Sequence, residues 1–158
     1  MTNFPNLSNK EKKELIDLAN EAADRAREAI LPYFRQNIAV SNKDEHTFDP
    51  VTEADKDAEN AIRKVISLSR PHDGIWGEET GELVSSTGFR WVIDPIDGTR
   101  SFISGTPTWG VLISLEQIGS GPILGIIDQP YIKERFIGGL GTSEVRGPLG
   151  VRSLKASE

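Results

Sequence analysis

Apolar residues recur at Leu15, Leu18, Ala19, Ala22, Ala26, Ala29, Ile30 and Tyr33, a three-and-four spacing that lines up one stripe of a helix. Ser8 and Glu11 ahead of that stripe have the spacing of a capping box, which sets where the helix starts. Residues 36–50, QNIAVSNKDEHTFDP, show no period and many polar groups, and predict a mobile surface loop. Thr52 and Asp55 repeat the capping-box spacing. Behind them Ala58, Ala61, Ile62, Val65 and Ile66 form a second buried stripe that must stop before Pro71. Two helices are therefore expected before any strand.

Beyond Pro71 the pattern changes to short apolar runs bounded by turn residues, GIWG and RWVI. Trp109, Val111, Ile113 and Leu115 alternate with Gly110, Leu112, Ser114 and Glu116, and GSG at 119–121 turns the chain into PILGIID. RFIGG carries another strand. Strands linked by hairpins after two helices predict an α+β fold, a mainly antiparallel sheet packed with long helices on one face. From Leu140 to Glu158 the sequence reads as loops with at most one short strand and no closing helix. The second face of the sheet then needs a cover from a partner or from further chain.

The length, 158 residues, suits one domain with a sizeable core. Charged residues at 27% and hydrophobic residues at 37% exclude the compositional extremes of disordered chains. A net charge of -6 argues against binding nucleic acid through its phosphates. It favours divalent cations only weakly, since moderate acidity mostly keeps a protein soluble. The absence of cysteine excludes disulfides, zinc-thiolate sites and thiol nucleophiles. The start, MTNFPNLSNKEKK, lacks the apolar stretch of a signal peptide, and no apolar run is long enough for a bilayer. No membrane partner is expected, and the expected compartment is the cytoplasm.

The candidate chemistry lies in IDPIDGTRSF, residues 93–102. Asp94 closes an apolar strand, and Pro95 lacks the N–H that would continue a ladder, so the chain is expected to leave the sheet there. Asp94 and Asp97 could then converge on one or two hard cations, with the Ile96 carbonyl as a further oxygen ligand. Gly98 and Thr99 would offer amides to a phosphate at a helix start. The plainer reading is that both aspartates only build a turn, since Asp-Pro and Asp-Gly are ordinary turn dipeptides. Glu78 and Glu79, in WGEETG after a predicted strand, are by themselves more often solvated than ligating. Asp55 has an ordinary role as the helix-capping partner of Thr52.

Taken in order, DPVTEADKDAE, GEE, WVIDPIDGTRSFISGTPTWGVLISL and GIIDQP resemble the inositol monophosphatase superfamily, magnesium-dependent and lithium-sensitive sugar-phosphate phosphatases. The resemblance runs from about Asp49 to Pro130 and extends to the N-terminal helix. It implies the first lobe of the αβαβα sugar-phosphatase fold, a cytoplasmic enzyme and a homodimer. Within the superfamily, DGTRSFISGTPTWG with GIIDQP is most similar to the histidinol-phosphatase branch, because the inositol branch usually has Thr-Asn where this chain has Arg100-Ser101. The implied reaction is hydrolysis of histidinol phosphate, in histidine biosynthesis. Inositol monophosphate or a related sugar phosphate is the alternative substrate.

The resemblance also implies roles. Glu78, Asp94 and the Ile96 carbonyl would hold an activating Mg2+, Asp94 would bridge to a second ion held by Asp97, and Glu78 would reach a third through water. Asp55 and Thr99 would form a hydrogen-bonded pair that activates the attacking water, and the Gly98 and Thr99 amides would hold the phosphate. No phosphoenzyme is implied. Lys43 falls in the family's metal-sensing loop, although a solvated lysine is the plainer reading. His46 and His72 are expected at the surface. The W-D-x-A-A-type motif of the family's second lobe does not occur in these 158 residues. The chain is thus expected to match an N-terminal metal-binding catalytic lobe. That keeps a non-catalytic, metal- or phosphate-binding fragment as a second class of function.

Overall fold

The computed structural model describes residues 6–37, 39–42 and 50–155; Lys43, His46 and Asp49 lie outside them. Helix α1 spans Asn9–Ile30 and starts as its cap predicts, the Ser8 amide donating to Glu11 Oε2 at 2.8 Å and the Glu11 amide to Ser8 Oγ at 3.3 Å. Helix α2 spans Glu53–Ser69, one residue short of Arg70 and Pro71, where the proline forbids a further turn. The two helices pack on each other, and their stripes, Leu15 to Ile30 and Ala54 to Ile66, are buried.

A short pair, β1 (Val40–Asn42) and β2 (Pro50–Thr52), lies between them. The main sheet contains β3 (Gly74–Gly77), β4 (Gly81–Leu83), β5 (Phe89–Asp97), β6 (Gly110–Gln117), β7 (Gly121–Gln129), β8 (Glu134–Gly139), β9 (Thr142–Gly147) and β10 (Gly150–Ser153). The strand order is β10-β9-β8-β7-β6-β5-β3-β4, and among these pairings β3 with β5 is parallel while the others are antiparallel. A short helix, α3 (Thr99–Ser104), connects β5 to β6.

Register sorts the sheet residues onto two faces. Ile75, Trp91, Ile93, Val111, Ile113, Leu115, Leu124, Ile126 and Ile137 are buried beneath the helices, with α1 touching β6 and β7 and α2 touching β5. On the other face Trp76, Val92, Leu112, Ile127 and Phe136 line an open groove of about 720 Å³. Trp76 is 49% and Ile127 50% exposed, so among the described residues this face has no covering layer.

Three expectations are corrected. Strands precede α2, because β1 and β2 pair through the backbone (Val40 opposite Thr52) and need no apolar alternation to do so. The tail holds two strands, β9 and β10, in a hairpin; Val145 is the one buried side chain they contribute, so no period of two is legible there. Pro95 does not end β5. The ladder breaks after Asp94, opposite Leu112, and resumes at Asp97, opposite Gly110. Three steps on β5 match two on β6, which is a bulge, and the prolyl nitrogen sits where no ladder bond is required.

Candidate active site

The bulge decides where the aspartates point. In an unbroken strand, residues three apart face opposite sides of the sheet. Asp94 and Asp97 instead stand opposite Leu112 and Gly110, which are two apart on β6, so the extra residue returns both aspartates to the same face. That face is the open one.

The parallel pair brings Glu78 to the same place. Gly77 is in register with Ile93, and the Glu78 amide donates to the Ile93 carbonyl at 3.2 Å. The C-terminal ends of β3 and β5 therefore meet at one edge; antiparallel pairing would send Glu78 to the opposite end of β5, near Phe89. Glu78 and Asp94 both line the groove and are hydrogen-bonded to each other.

Two carboxylates in direct contact must share a proton. Burial, then the Glu78 charge and hydrogen bond, then the charges of Asp97 and Asp55, push the Asp94 carboxyl up to about 7 from its usual 3.8. Asp94 Oδ1 is buried and has no hydrogen-bond partner. A buried carboxylate oxygen that lacks a donor, on a carboxyl acted on by the charges of three others, fits a hard cation, which would satisfy the oxygen and offset the repulsion. Among the described residues no group of three or more His, Cys, Asp or Glu side chains is placed to hold a metal ion, so a cation here would draw on the Ile96 carbonyl and on water to fill its shell, as Mg2+ commonly does.

Asp55 enters from α2. Its Oδ2 accepts the Thr52 amide at 2.8 Å and the Thr52 hydroxyl at 2.6 Å, which fixes the carboxylate at the helix start. The Thr99 hydroxyl donates to the Ile96 carbonyl at 3.0 Å. The Ile96 carbonyl keeps a second lone pair for a cation.

Gly98 starts α3 with φ of 89°, and a Cβ there would lie 2.9 Å from the Thr108 carbonyl oxygen. Only glycine fits both the conformation and the space. Its carbonyl accepts the Ser101 and Phe102 amides at 2.8 and 3.1 Å. Phe102 then anchors α3 among Phe34 and Trp109, at ring-centroid distances of 5.4 and 5.0 Å. Arg100 is exposed beside this turn, and His72 is exposed as the sequence implies.

Sequence reading missed Glu59, which is fully buried on α2. It accepts the Glu79 amide at 2.8 Å, the Thr80 amide at 3.1 Å, the Thr80 hydroxyl, and Arg63 Nε at 2.8 Å. Burial pushes its carboxyl up, but the Thr80 and Glu79 hydrogen bonds and Arg63 outweigh that and hold it below the usual carboxylate range. The available signal was a carboxylate on the apolar stripe, between Ala58 and Ile62.

The Inositol monophosphatase family model matches residues 11–151. The chain belongs to the inositol monophosphatase family. Among relatives in that family, a histidinol-phosphatase from Chlorobaculum parvum is 48% identical over 122 residues, 77% of this chain and 46% of the relative. The bifunctional phosphatase IMPL2, chloroplastic, from Arabidopsis thaliana is 44% identical over 144 residues, 85% of this chain and 41% of the relative. Of solved structures, the extragenic suppressor protein suhB from Bartonella henselae superposes with a TM-score of 0.79 at 29% identity, over 91% of this chain and 55% of its own. The chain thus spans about half the length of the family members it matches.

Proposed function

We propose that this chain is the metal-binding catalytic lobe of a magnesium-dependent phosphate monoester hydrolase acting on histidinol phosphate. The observation that carries the metal reading is the buried, partnerless Asp94 Oδ1 beside Glu78, Asp97 and Asp55. Glu78, Asp94 and the Ile96 carbonyl would hold one Mg2+, and Asp94 with Asp97 a second. When bound, magnesium lowers the pKa of a water and neutralises charge on the departing oxygen.

The chain's own groups supply the remainder. The Gly98 and Thr99 amides, at the start of α3 where no intrahelical acceptor is available, would receive phosphate oxygens. Asp55, held by Thr52, would take a proton passed through the Thr99 hydroxyl once that hydroxyl turns from the Ile96 carbonyl. The bulge keeps these parts within one short segment, so positioning costs little at the moment of reaction.

The substrate rests on two supports: the names of the similar histidinol-phosphatases, and Arg100-Ser101 at the first turn of α3. Coverage of only about half of each relative supports a second reading, a metal- and phosphate-binding lobe that does not turn over alone. The test is phosphate release with saturating magnesium from histidinol phosphate and from inositol monophosphate, compared as kcat/KM. Preference for histidinol phosphate is expected. Preference for the inositol ester overturns the substrate, and release from neither ester with retained magnesium binding favours the second reading.

A further inference from the structure

Glu59 lies one helical turn beyond Asp55 on α2 and has no exposed surface. All of its described partners other than Arg63 belong to the turn that follows Glu78. Its two oxygens accept from the amides of Glu79 and Thr80 and from the Thr80 hydroxyl. Arg63 binds it from the next turn of α2 and reaches on to the Gly81 carbonyl, which closes the far side of the same turn. Space for this approach exists because residue 77 is glycine: a Cβ there would lie 2.3 Å from Glu59 Oε1. Glu78 is an exposed residue, and the backbone on either side of it is held, through the Ile93 carbonyl before it and Glu59 after it.

We propose that Glu59 is a positioning residue for Glu78: from α2 it grips the 79–80 amides and so sets where the Glu78 carboxylate stands relative to Asp94. This rests on the reading of Glu78 and Asp94 as cation ligands. Glu59 touches no cation itself. It acts as the outer partners of metal ligands do, by limiting the positions a ligand can take. Because Asp55 lies on the same helix face, α2 registers two sides of the site at once, and a shift of the helix would move Asp55 and the Glu78 turn together.

The test is Mn2+ binding to the protein, followed by the electron paramagnetic resonance signal of the free ion, in Glu59→Gln, Thr80→Ala, Glu78→Ala and Ile66→Val. Glu59→Gln is expected to weaken binding about 10-fold, the lower end of what loss of an outer partner costs. Thr80→Ala removes one clamp bond without stranding a buried charge and should shift affinity less, in the same direction. Ile66→Val lowers the thermal midpoint through the core alone and should leave affinity unchanged, which separates positioning from general destabilisation. If Glu78→Ala weakens binding while Glu59→Gln and Thr80→Ala bind as the parent does, the positioning role is overturned and the metal reading stands. If Glu78→Ala leaves Mn2+ binding unchanged, the metal reading falls and this proposal with it. Should Glu59→Gln not fold, parental affinity in folded Thr80→Ala is the overturning result.

Discussion

In the metal-free protein Asp94 keeps its proton to about pH 7, because burial and the adjoining Glu78 disfavour its charge. Its folded value lies above the unfolded one, so the folded state binds this proton more tightly than the unfolded state does. The resulting stability is fully present below the unfolded value near 3.8 and is lost as pH rises toward 7. In chelator, the thermal midpoint should therefore fall across that window, and Asp94→Asn should flatten the fall; melting curves at a series of pH values check this. Saturating magnesium should reverse the trend, since a cation favours the charged form. A parent protein whose midpoint ignores pH in chelator would contradict the account. Only part of this residue's role was legible in the sequence. The spacing of Asp94 and Asp97 marked them as a pair and the family resemblance added Glu78, but the orphaned oxygen and the carboxyl–carboxyl contact arise from a parallel register that no local pattern encodes.

Among the elements, those with a strong internal signal were the legible ones. The caps and apolar stripes of α1 and α2, and the alternation of β6, announce themselves because burial on one face imposes a period. β1, β9 and β10 did not, since short strands at or next to a sheet edge bury little and are held by backbone pairing. β5 misled in an instructive way. Pro95 reads as a terminator, yet in a bulge its missing N–H costs nothing, and the strand continues. The turn after it makes the strictest local demand. Gly98→Ala would combine a left-handed residue with a contact of 2.9 Å to the Thr108 oxygen, and should cost about 1–3 kcal/mol of stability. Because the strain falls at the proposed phosphate amides, phosphate release should drop by more than the folded fraction does. Denaturant unfolding alongside turnover measures both, and an alanine variant with parental stability and rate would show that the turn is not constrained in this way.

For the molecule as a whole, one buried ionic cluster ties the first helix to the sheet. Asp128, fully buried on β7, accepts Arg135 Nε at 2.8 Å and Arg27 Nη2 at 2.6 Å, and Arg135 returns to Asp24 on α1 at 2.6 Å. Asp128→Asn would leave two arginines short of their charge partner and should destabilise by about 3–5 kcal/mol, the usual cost of breaking a buried pair. Chemical denaturation would show it, and a loss within about 0.5 kcal/mol, typical of neutral surface changes, would mean that the cluster is solvated in solution. This link was not legible in the sequence. Its two ends are 101 residues apart, and nothing in the run that Asp128 closes, PILGIID, points to the arginine on α1.

The parallel pairing of β3 with β5 also has a kinetic meaning. From β5 to β10 each strand hydrogen-bonds to the strand that follows it in the chain, over short loops from β6 onward and over residues 98–109 with α3 between β5 and β6, so that portion can close strand by strand through contacts local in sequence, the fast kind. β3 cannot join β5 through a tight turn, and Asp55 arrives only when α2 docks. Asp94 and Asp97 should then be in place before Glu78 and Asp55 reach them, so that cation affinity is the last property a refolding chain acquires. The Glu78 amide, bonded to Ile93, is the reporter. In pulse-labelled hydrogen exchange during refolding it should gain protection after the amides of the β6–β7 hairpin. Simultaneous protection would mean that the two halves of the site form in one step.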